Sequence, residues 1–396
     1  MPSYQRILLS ALLLSLGFLH LPAQTEQERE PTDLAPALDS PEPEVTDGPV
    51  IKLALLLDTS NSMDGLINQA RSRIWNIVNE MGKARVDGQL PQLQVALFHY
   101  GNDRLSKKTD FVELRCPFTT DLDIVSEQLF GLSTNGGSEF CGAVISEAVQ
   151  RLDWGQTRDG PALRVVVIAG NEPFNQGTEP YVESITRAQG LDIRVNTLFC
   201  GDKNAGRNTL WADGAKLGKG YYAAIDQNEV IEEIDTPFDD AIFRLNKTLD
   251  GTYLGYGQKG KKALRRQAEQ DSFNEELSFS AGLSRANVKA SANYEAASWD
   301  LVSAHENGSV DLDELEDKDL PDELLKLSGE KRKEQLELLA EERKKSAAEI
   351  QELSLKRTAF IAETRRGAAE TGQALDDALI GALREQAQSL GFVFSD

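Results

Sequence analysis

Histidine and cysteine are scarce in this chain, whose 396 residues include three of each. Only His99 and His305 lie beyond the N-terminal hydrophobic segment, so a serine–histidine triad or a multi-histidine metal centre has too few residues to form. The glycine–serine motif of a nucleophile elbow is also absent. His99 stands beside Tyr100 at the end of an apolar run, where a hydrogen-bonded structural role is the simpler interpretation. The sequence therefore indicates a protein that is not an enzyme.

Basic residues are outnumbered by acidic ones. Lysine and arginine total 42 against 64 aspartates and glutamates, which gives a formal net charge of −22. Such a charge repels nucleic acid phosphates and anionic lipid headgroups, so it argues against both as main partners. It does not choose between cations, basic proteins and neutral ligands, and solubility alone would also explain it.

Long hydrophobic runs are missing except at the N-terminus. Ile7 to Leu21 is nearly all apolar and follows a short positive end, and Ala23 is small enough for cleavage. This pattern predicts a signal peptide over residues 1–23 and an exported protein, periplasmic or secreted. Leu21 lies three places before the predicted cleavage point and is not well suited to that position. An uncleaved membrane anchor is therefore the alternative. No second run approaches membrane length, so we expect no membrane insertion of the mature chain.

The rest of the chain divides into regions of different composition. Residues 24–49 are rich in proline and acids, which predicts a disordered linker. From 50 to 247, strand-like apolar runs alternate with segments of helical spacing, which predicts an α/β domain on a doubly wound, mostly parallel sheet. Residues 248–320 are polar and are expected to form an irregular connector. Residues 321–396 are charged with helical spacing, which predicts an α-helical, coiled-coil-like tail that can self-associate.

The first predicted strand runs directly into the sequence DTSNS at residues 58–62. At the carboxyl end of a buried parallel strand, this loop lies where open α/β sheets gather their ligands. Alternate residues of a tight turn can project to one side, which brings together the carboxylate of Asp58 and the hydroxyls of Ser60 and Ser62. These hard oxygen donors suit Mg²⁺, Ca²⁺ or Mn²⁺. A simple helix cap by Ser62 or Asp64 is the alternative.

The same five residues match the first segment of the metal-ion-dependent adhesion site of the von Willebrand factor type A domain, and residues 50–247 resemble that family in strand and helix order. A second segment is Asn135-Gly136-Gly137-Ser138. In the family a threonine hydroxyl supplies a further ligand here, and Ser138 occupies that position. The third segment departs from the family, because Gly170 falls where an aspartate is usual. The resemblance therefore implies that Asn171 or Glu172 would bind the metal, either directly or through a water molecule on it.

The resemblance implies a binding function with a divalent cation as cofactor, Mg²⁺ before Ca²⁺ or Mn²⁺. One coordination position would stay open for an aspartate or glutamate of a protein ligand. The leading hypothesis is an exported, metal-dependent binding or adhesion-type protein that recognises an acidic group on a protein or envelope partner. Because Gly170 supplies no acid, the alternative that the metal site is vestigial stays open. The alternative is a structural or assembly component with a degenerate metal site, whose helical tail mediates the interaction.

Two of the cysteines are predicted to lie close together. Cys141 begins the helix after the second segment and Cys200 ends a parallel strand, so both should lie at the ligand-bearing edge of the sheet. Cys116 follows a strand expected to run the opposite way, which places it at the far end. The sequence therefore favours a Cys141–Cys200 disulfide with Cys116 free, and three free thiols are the alternative.

Overall fold

A six-stranded sheet forms the centre of the protein. The computed structural model describes residues 48–155, 160–225, 234–368 and 374–394, so the predicted signal peptide and nearly all of the predicted linker lie outside the described residues. The strands are β1 (Val50–Asp58), β2 (Ala84–Arg85), β3 (Gln92–Tyr100), β4 (Val112–Thr119), β5 (Ala162–Gly170), β6 (Ile193–Cys200), β7 (Lys219–Ile225) and β8 (Val393–Phe394).

The order of the main sheet is β4-β3-β1-β5-β6-β7. All of its neighbouring strands are parallel except β3 and β4, which are antiparallel at one edge. The predicted doubly wound, mostly parallel sheet is therefore confirmed.

Helices cover the sheet on both faces and continue after its last strand. They are α1 (Ile67–Met81), α2 (Leu122–Phe130), α3 (Cys141–Arg151), α4 (Tyr181–Gly190), α5 (Lys203–Asn208), α6 (Trp211–Leu217), α7 (Asp239–Asp250), α8 (Gly257–Leu277), α9 (Phe279–Lys289), α10 (Leu301–Glu306), α11 (Gly329–Ala368) and α12 (Ala374–Gln388). Among the described residues, none of these helices combines the length and the apolar character needed to cross a bilayer.

The central strand β1 contributes side chains to both faces of the sheet. Leu53, Leu55 and Leu57 belong to one hydrophobic cluster, and Ala54 and Leu56 belong to another. All five are fully buried. The continuous apolar run in the sequence reflects this double burial, because successive residues of a strand point to opposite faces.

The segment 248–320 was expected to be irregular, and this prediction is wrong. The segment contains most of α7's last turn and the whole of α8, α9 and α10. The reason is clearest in α8, whose buried face consists of small or polar residues at helical spacing: Gly260, Ala263, Gln267, Gln270 and Asn274. A helix that buries such residues carries no apolar periodicity for a sequence pattern to reveal.

The C-terminal region is helical as predicted, and its last helix packs against the sheet. Leu379, Leu383 and Ala387 of α12 are buried in the same cluster as the β7 residues Ala223 and Ile225. The following strand β8 pairs with β2 near the end of α1. The end of the chain therefore covers the sheet at its β7 edge.

Buried ion pairs join the C-terminal helices to the sheet domain. Arg285 of α9 lies 2.5 Å from Asp123 of α2 and 2.8 Å from Asp271 of α8, and its side chain is 1% exposed. Lys289, also on α9, contacts both Asp271 and Asp250. Removing one partner of such a buried pair leaves an uncompensated charge, so these contacts tie the two regions together.

The predicted Cys141–Cys200 disulfide is wrong. Cys116, Cys141 and Cys200 are all buried, and none of the three is joined to another by a disulfide. Cys141 packs in the hydrophobic cluster on one face of the sheet, and Cys200 packs in the cluster on the other face. The two thiols share an edge of the sheet, as the sequence predicted, but the sheet itself separates them.

Candidate metal centre

The loop after β1 is built around a fully buried carboxylate. Asp58 is 0% exposed, and its Oδ1 accepts a hydrogen bond of 2.8 Å from the Ser60 main-chain N–H. Its second oxygen, Oδ2, is buried and has no hydrogen-bond partner in the described part of the chain. A buried carboxylate oxygen without a partner is costly, so this atom points to a missing positive group.

Beyond this carboxylate, the hydroxyls of Ser60 and Ser62 and the side-chain amide of Asn171 are linked by hydrogen bonds. The hydroxyls of Ser60 and Ser62 lie 2.7 Å apart. Ser62 donates to Asn171 Oδ1 at 2.8 Å, and Asn171 Nδ2 donates to the Ser62 main-chain carbonyl at 3.0 Å. Asn171 directly follows β5, the neighbour of β1, so the ends of two adjacent parallel strands bring these groups together.

The second predicted segment is attached to the first by main-chain hydrogen bonds. Asn61 N–H donates to the Gly136 carbonyl at 2.8 Å, and Asn135 N–H donates to the Thr59 carbonyl at 2.9 Å. Ser138 forms a β-bridge with Gly101, which follows β3. Its hydroxyl makes no hydrogen bond to Ser60 or Ser62 among the described residues, so its role as a ligand stays a prediction.

Glu139 is a residue of the centre that the sequence interpretation missed. It is 4% exposed. A Cβ added to Gly101 would lie 2.8 Å from Asp58 Oδ1 and 2.9 Å from Glu139 Cγ, so the two acids flank the space that this glycine leaves open. The available signal was its position, because Glu139 is an acid directly after Ser138 in the second segment.

An aspartate at position 170, where the resemblance places one, would crowd its buried neighbours. A Cβ added to Gly170 would lie 2.6 Å from Tyr100 Oη and 3.0 Å from both Asp58 Cβ and Trp211 Cη2. The neighbouring Glu172 remains close to the centre, since its charge raises the pKa of Glu139. Its carboxylate accepts a hydrogen bond of 3.3 Å from Gln176.

The protein by itself stabilises the two buried acids poorly as anions. Burial raises the pKa of Asp58 to about 7, and repulsion from Glu139 adds to the shift, while hydrogen bonds from Ser60 and Asn171 oppose it. Burial is also the largest cause that raises the pKa of Glu139, although a hydrogen bond from Ser60 lowers it. A cation beside both groups would favour their charged forms.

The chemistry of this donor set fits a hard divalent cation. It offers carboxylate, hydroxyl and amide oxygens, which are the ligands that Mg²⁺ and Ca²⁺ prefer. In the described ranges, no three His, Cys, Asp or Glu side chains are grouped so that they could hold a metal. A cation at this loop would therefore depend on the hydroxyls of Ser60 and Ser62 as well as on the acids.

Residues in or near β3 and β4 hold the loop of residues 58–62 in place through a further set of polar contacts. The Thr59 hydroxyl lies 3.0 Å from His99 Nδ1 and donates to the Tyr100 carbonyl at 3.1 Å. His99 Nε2 lies 2.6 Å from Glu113 Oε2. Asn102 Nδ2 donates to the Thr59 carbonyl at 3.3 Å. These contacts give His99 the structural role expected from the sequence.

Comparison with known proteins gives structural likenesses only. No family model and no curated protein matches the chain. BatB, a conserved hypothetical protein from Bacteroides thetaiotaomicron, is 20% identical with a TM-score of 0.35, over 44% of this chain and 90% of that one. A von Willebrand factor type A protein from Catenulispora acidiphila is 12% identical with a TM-score of 0.33, over 44% of this chain and 38% of that one.

Proximal thread matrix protein 1 from the mussel byssus, with a zinc-occupied MIDAS motif, is 12% identical with a TM-score of 0.34, over 46% of this chain and 43% of that one.

The sheet and its loops agree with the resemblance found in the sequence. The sheet has one antiparallel edge strand, and β1 occupies a central place in it. The loop of residues 58–62 meets the segment 135–138 and Asn171 at the carboxyl ends of the parallel strands. The described residues therefore form an α/β fold on a doubly wound, mostly parallel sheet, followed by an α-helical C-terminal region.

Proposed function

We propose that the protein is an exported, non-enzymatic binding protein whose type A domain holds a divalent cation, with Mg²⁺ preferred, and binds an acidic side chain of a protein or envelope partner. The observation that carries the proposal is the buried, unpartnered Oδ2 of Asp58 beside two serine hydroxyls. The apolar run from Ile7 to Leu21 supports export.

Each residue of the centre has a distinct part in this proposal. Asp58 supplies a buried negative charge, and Ser60 and Ser62 supply neutral oxygens. Asn171 holds Ser62 in place through hydrogen bonds to both its hydroxyl and its main chain. Ser138 and Glu172 are proposed as further ligands, directly or through water. When bound, the ion would offer one open coordination position to a partner's carboxylate.

The cation is tested on the full chain by thermal unfolding and calorimetry with Mg²⁺, Ca²⁺ and Mn²⁺. At a cation concentration of 100 times the dissociation constant, stabilisation should reach about 2.7 kcal/mol. Asp58→Asn should abolish it, since the buried charge is lost. Asp240→Asn, an exposed substitution on α7, is the matched control and should respond like the wild type. Absence of both heat and stabilisation with all three ions would reject the proposal.

The acidic partner is tested with a synthetic glutamate-rich peptide on a sensor surface. Binding should require the cation and should be lost on addition of EDTA or in Asp58→Asn. A neutral glutamine-rich peptide of the same length is the control. Equal binding of the two peptides would contradict recognition of an acidic group.

One observation favours the second candidate function, a structural or assembly component that binds through its helical tail. Leu338 and Leu355 of α11 are 66% and 49% exposed. If the tail mediates interaction or self-association, Leu338→Glu with Leu355→Glu should weaken it in analytical ultracentrifugation, and EDTA should have no effect. Point substitutions are preferable to deletion of residues 321–396, because α12 belongs to the core of the sheet.

A further inference from the structure

Two buried carboxylates approach the candidate centre from different loops. Asp58 lies at the end of β1, and Glu139 lies two residues before the first residue of α3. They are 0% and 4% exposed, and both flank the space left by the missing side chain of Gly101. The Ser60 main-chain N–H donates to Asp58 Oδ1 at 2.8 Å, and the Ser60 hydroxyl lies 2.7 Å from that of Ser62.

Neither acid has a cationic partner in the part of the chain that the structure describes. Within the described residues, no lysine, arginine or histidine forms an ion pair with Asp58 or Glu139, although other buried acids such as Asp123 and Asp271 are paired with Arg285. Two buried carboxylates that no described base neutralises form a site that a divalent cation would complete.

We propose that Glu139 supplies the second carboxylate to the cation at Asp58, Ser60 and Ser62, in place of an acid at position 170. The inference rests on the proposed function, and it explains how the centre keeps a cation although Gly170 has no room for an aspartate. Two carboxylates match the charge of one divalent ion, and the number of charged ligands sets the affinity for hard cations. The centre is then complete and not vestigial.

If Glu139 binds the cation, its substitution should affect stability differently in the absence and in the presence of the ion. Glu139→Gln keeps the size of the side chain and its ability to hydrogen-bond with Ser60, but it removes the charge. Without a cation, the variant should melt at or above the wild-type temperature, because the repulsion of Asp58 is gone. With a cation it should gain much less stability than the wild type. A residue needed only for packing would lower the melting temperature in both conditions.

The test is calorimetric titration of Mn²⁺ into the full chain, with melting curves in the absence and presence of the ion. Glu139→Gln should raise the dissociation constant at least about tenfold. Glu183→Gln, an exposed glutamate on α4, is the matched control and should bind Mn²⁺ like the wild type. Glu172→Gln tests the competing acid and should weaken binding less than Glu139→Gln.

The outcomes separate this inference from the function on which it rests. If the wild type and Glu139→Gln bind Mn²⁺ equally while Asp58→Asn does not, the metal centre stands and the role of Glu139 is overturned. A larger loss in Glu172→Gln than in Glu139→Gln would overturn it as well. If the wild type binds no cation, the proposed function fails, and the role of Glu139 fails with it.

Discussion

Gly170 restricts where the acidic side chains of the candidate metal centre can lie. The groups that a side chain at this position would meet cannot easily move away. Trp211 is fully buried and donates from Nε1 to the Glu172 carbonyl at 2.7 Å. The Tyr100 hydroxyl donates to the Ala169 carbonyl at 3.1 Å. In the proposed centre, a second carboxylate would therefore come from another part of the backbone, and we propose Glu139 for this role.

Gly170→Ala should lower the free energy of unfolding by about 1–3 kcal/mol, because a methyl group would overpack a rigid site. Gly170→Asp should lower it further and should not tighten cation binding. Urea denaturation measures both effects. Gly190→Ala at the end of α4 is the matched control, because a Cβ there meets nothing within 4 Å. Wild-type stability of Gly170→Ala would contradict the packing described around Tyr100 and Trp211.

Most of the candidate centre could be predicted residue by residue, and one acid could not. Asp58, Ser60 and Ser62 follow a strongly apolar strand, and Asn171 follows its neighbour, so sheet topology alone brings them together. Glu139 follows no strand. Its burial depends on the tight contact of Gly101 with the second segment, which is a tertiary feature that spacing in the sequence does not encode.

At the scale of elements, a strand or helix can be predicted from the sequence when the residues that it buries are apolar. The strands of the sheet bury leucine, isoleucine and valine on both faces, and their positions follow directly from the sequence. Helix α8 instead buries Gln267, Gln270 and Asn274. Gln270 accepts a hydrogen bond of 2.9 Å from Ser126 of α2, so this interface is polar, and only the folded structure reveals the helix behind it.

The antiparallel pair β3–β4 carries an ionisable contact with a predictable pH dependence. Glu113 lies opposite His99 in the register of the two strands. The hydrogen bond from His99 is the largest cause that lowers the pKa of Glu113, from its ordinary value of 4.5 to about 2, and Arg115 adds to it. Since His99 also contacts Thr59, the His99–Glu113 pair supports the loop of residues 58–62.

A carboxyl whose pKa is depressed in the folded state contributes stability above its unfolded pKa and loses it as the pH falls through the folded value. The contribution of Glu113 should therefore be complete above about pH 4.5 and disappear towards pH 2. Glu113→Gln should flatten this part of the stability profile, measured by urea denaturation at successive pH values. Glu183→Gln should keep the wild-type profile. Identical profiles for the wild type and Glu113→Gln would show that the contact contributes nothing.

At the scale of the whole molecule, the sheet domain and the C-terminal helices share buried structure. Arg285 joins α9 to Asp123 of α2, and α12 covers the sheet at β7. A fragment that ends at residue 247, the predicted domain boundary, would lack all of these contacts. The sequence does not indicate this, because α12 and β7 lie far apart along the chain.

Leu383 of α12 tests whether the two regions unfold together. It is fully buried in the cluster that includes Leu198, Ala223 and Ile225 of the sheet. Leu383→Ala should lower the free energy of unfolding by about 2–5 kcal/mol, because it leaves a cavity in a shared core. Leu390→Ala, 38% exposed just after α12, is the matched control and should change stability by at most about 0.5 kcal/mol. Hydrogen exchange should show that Leu383→Ala weakens protection in β6 and β7 as well as in α12. If protection falls in α12 alone, the helix unfolds independently and the sheet domain is complete without it.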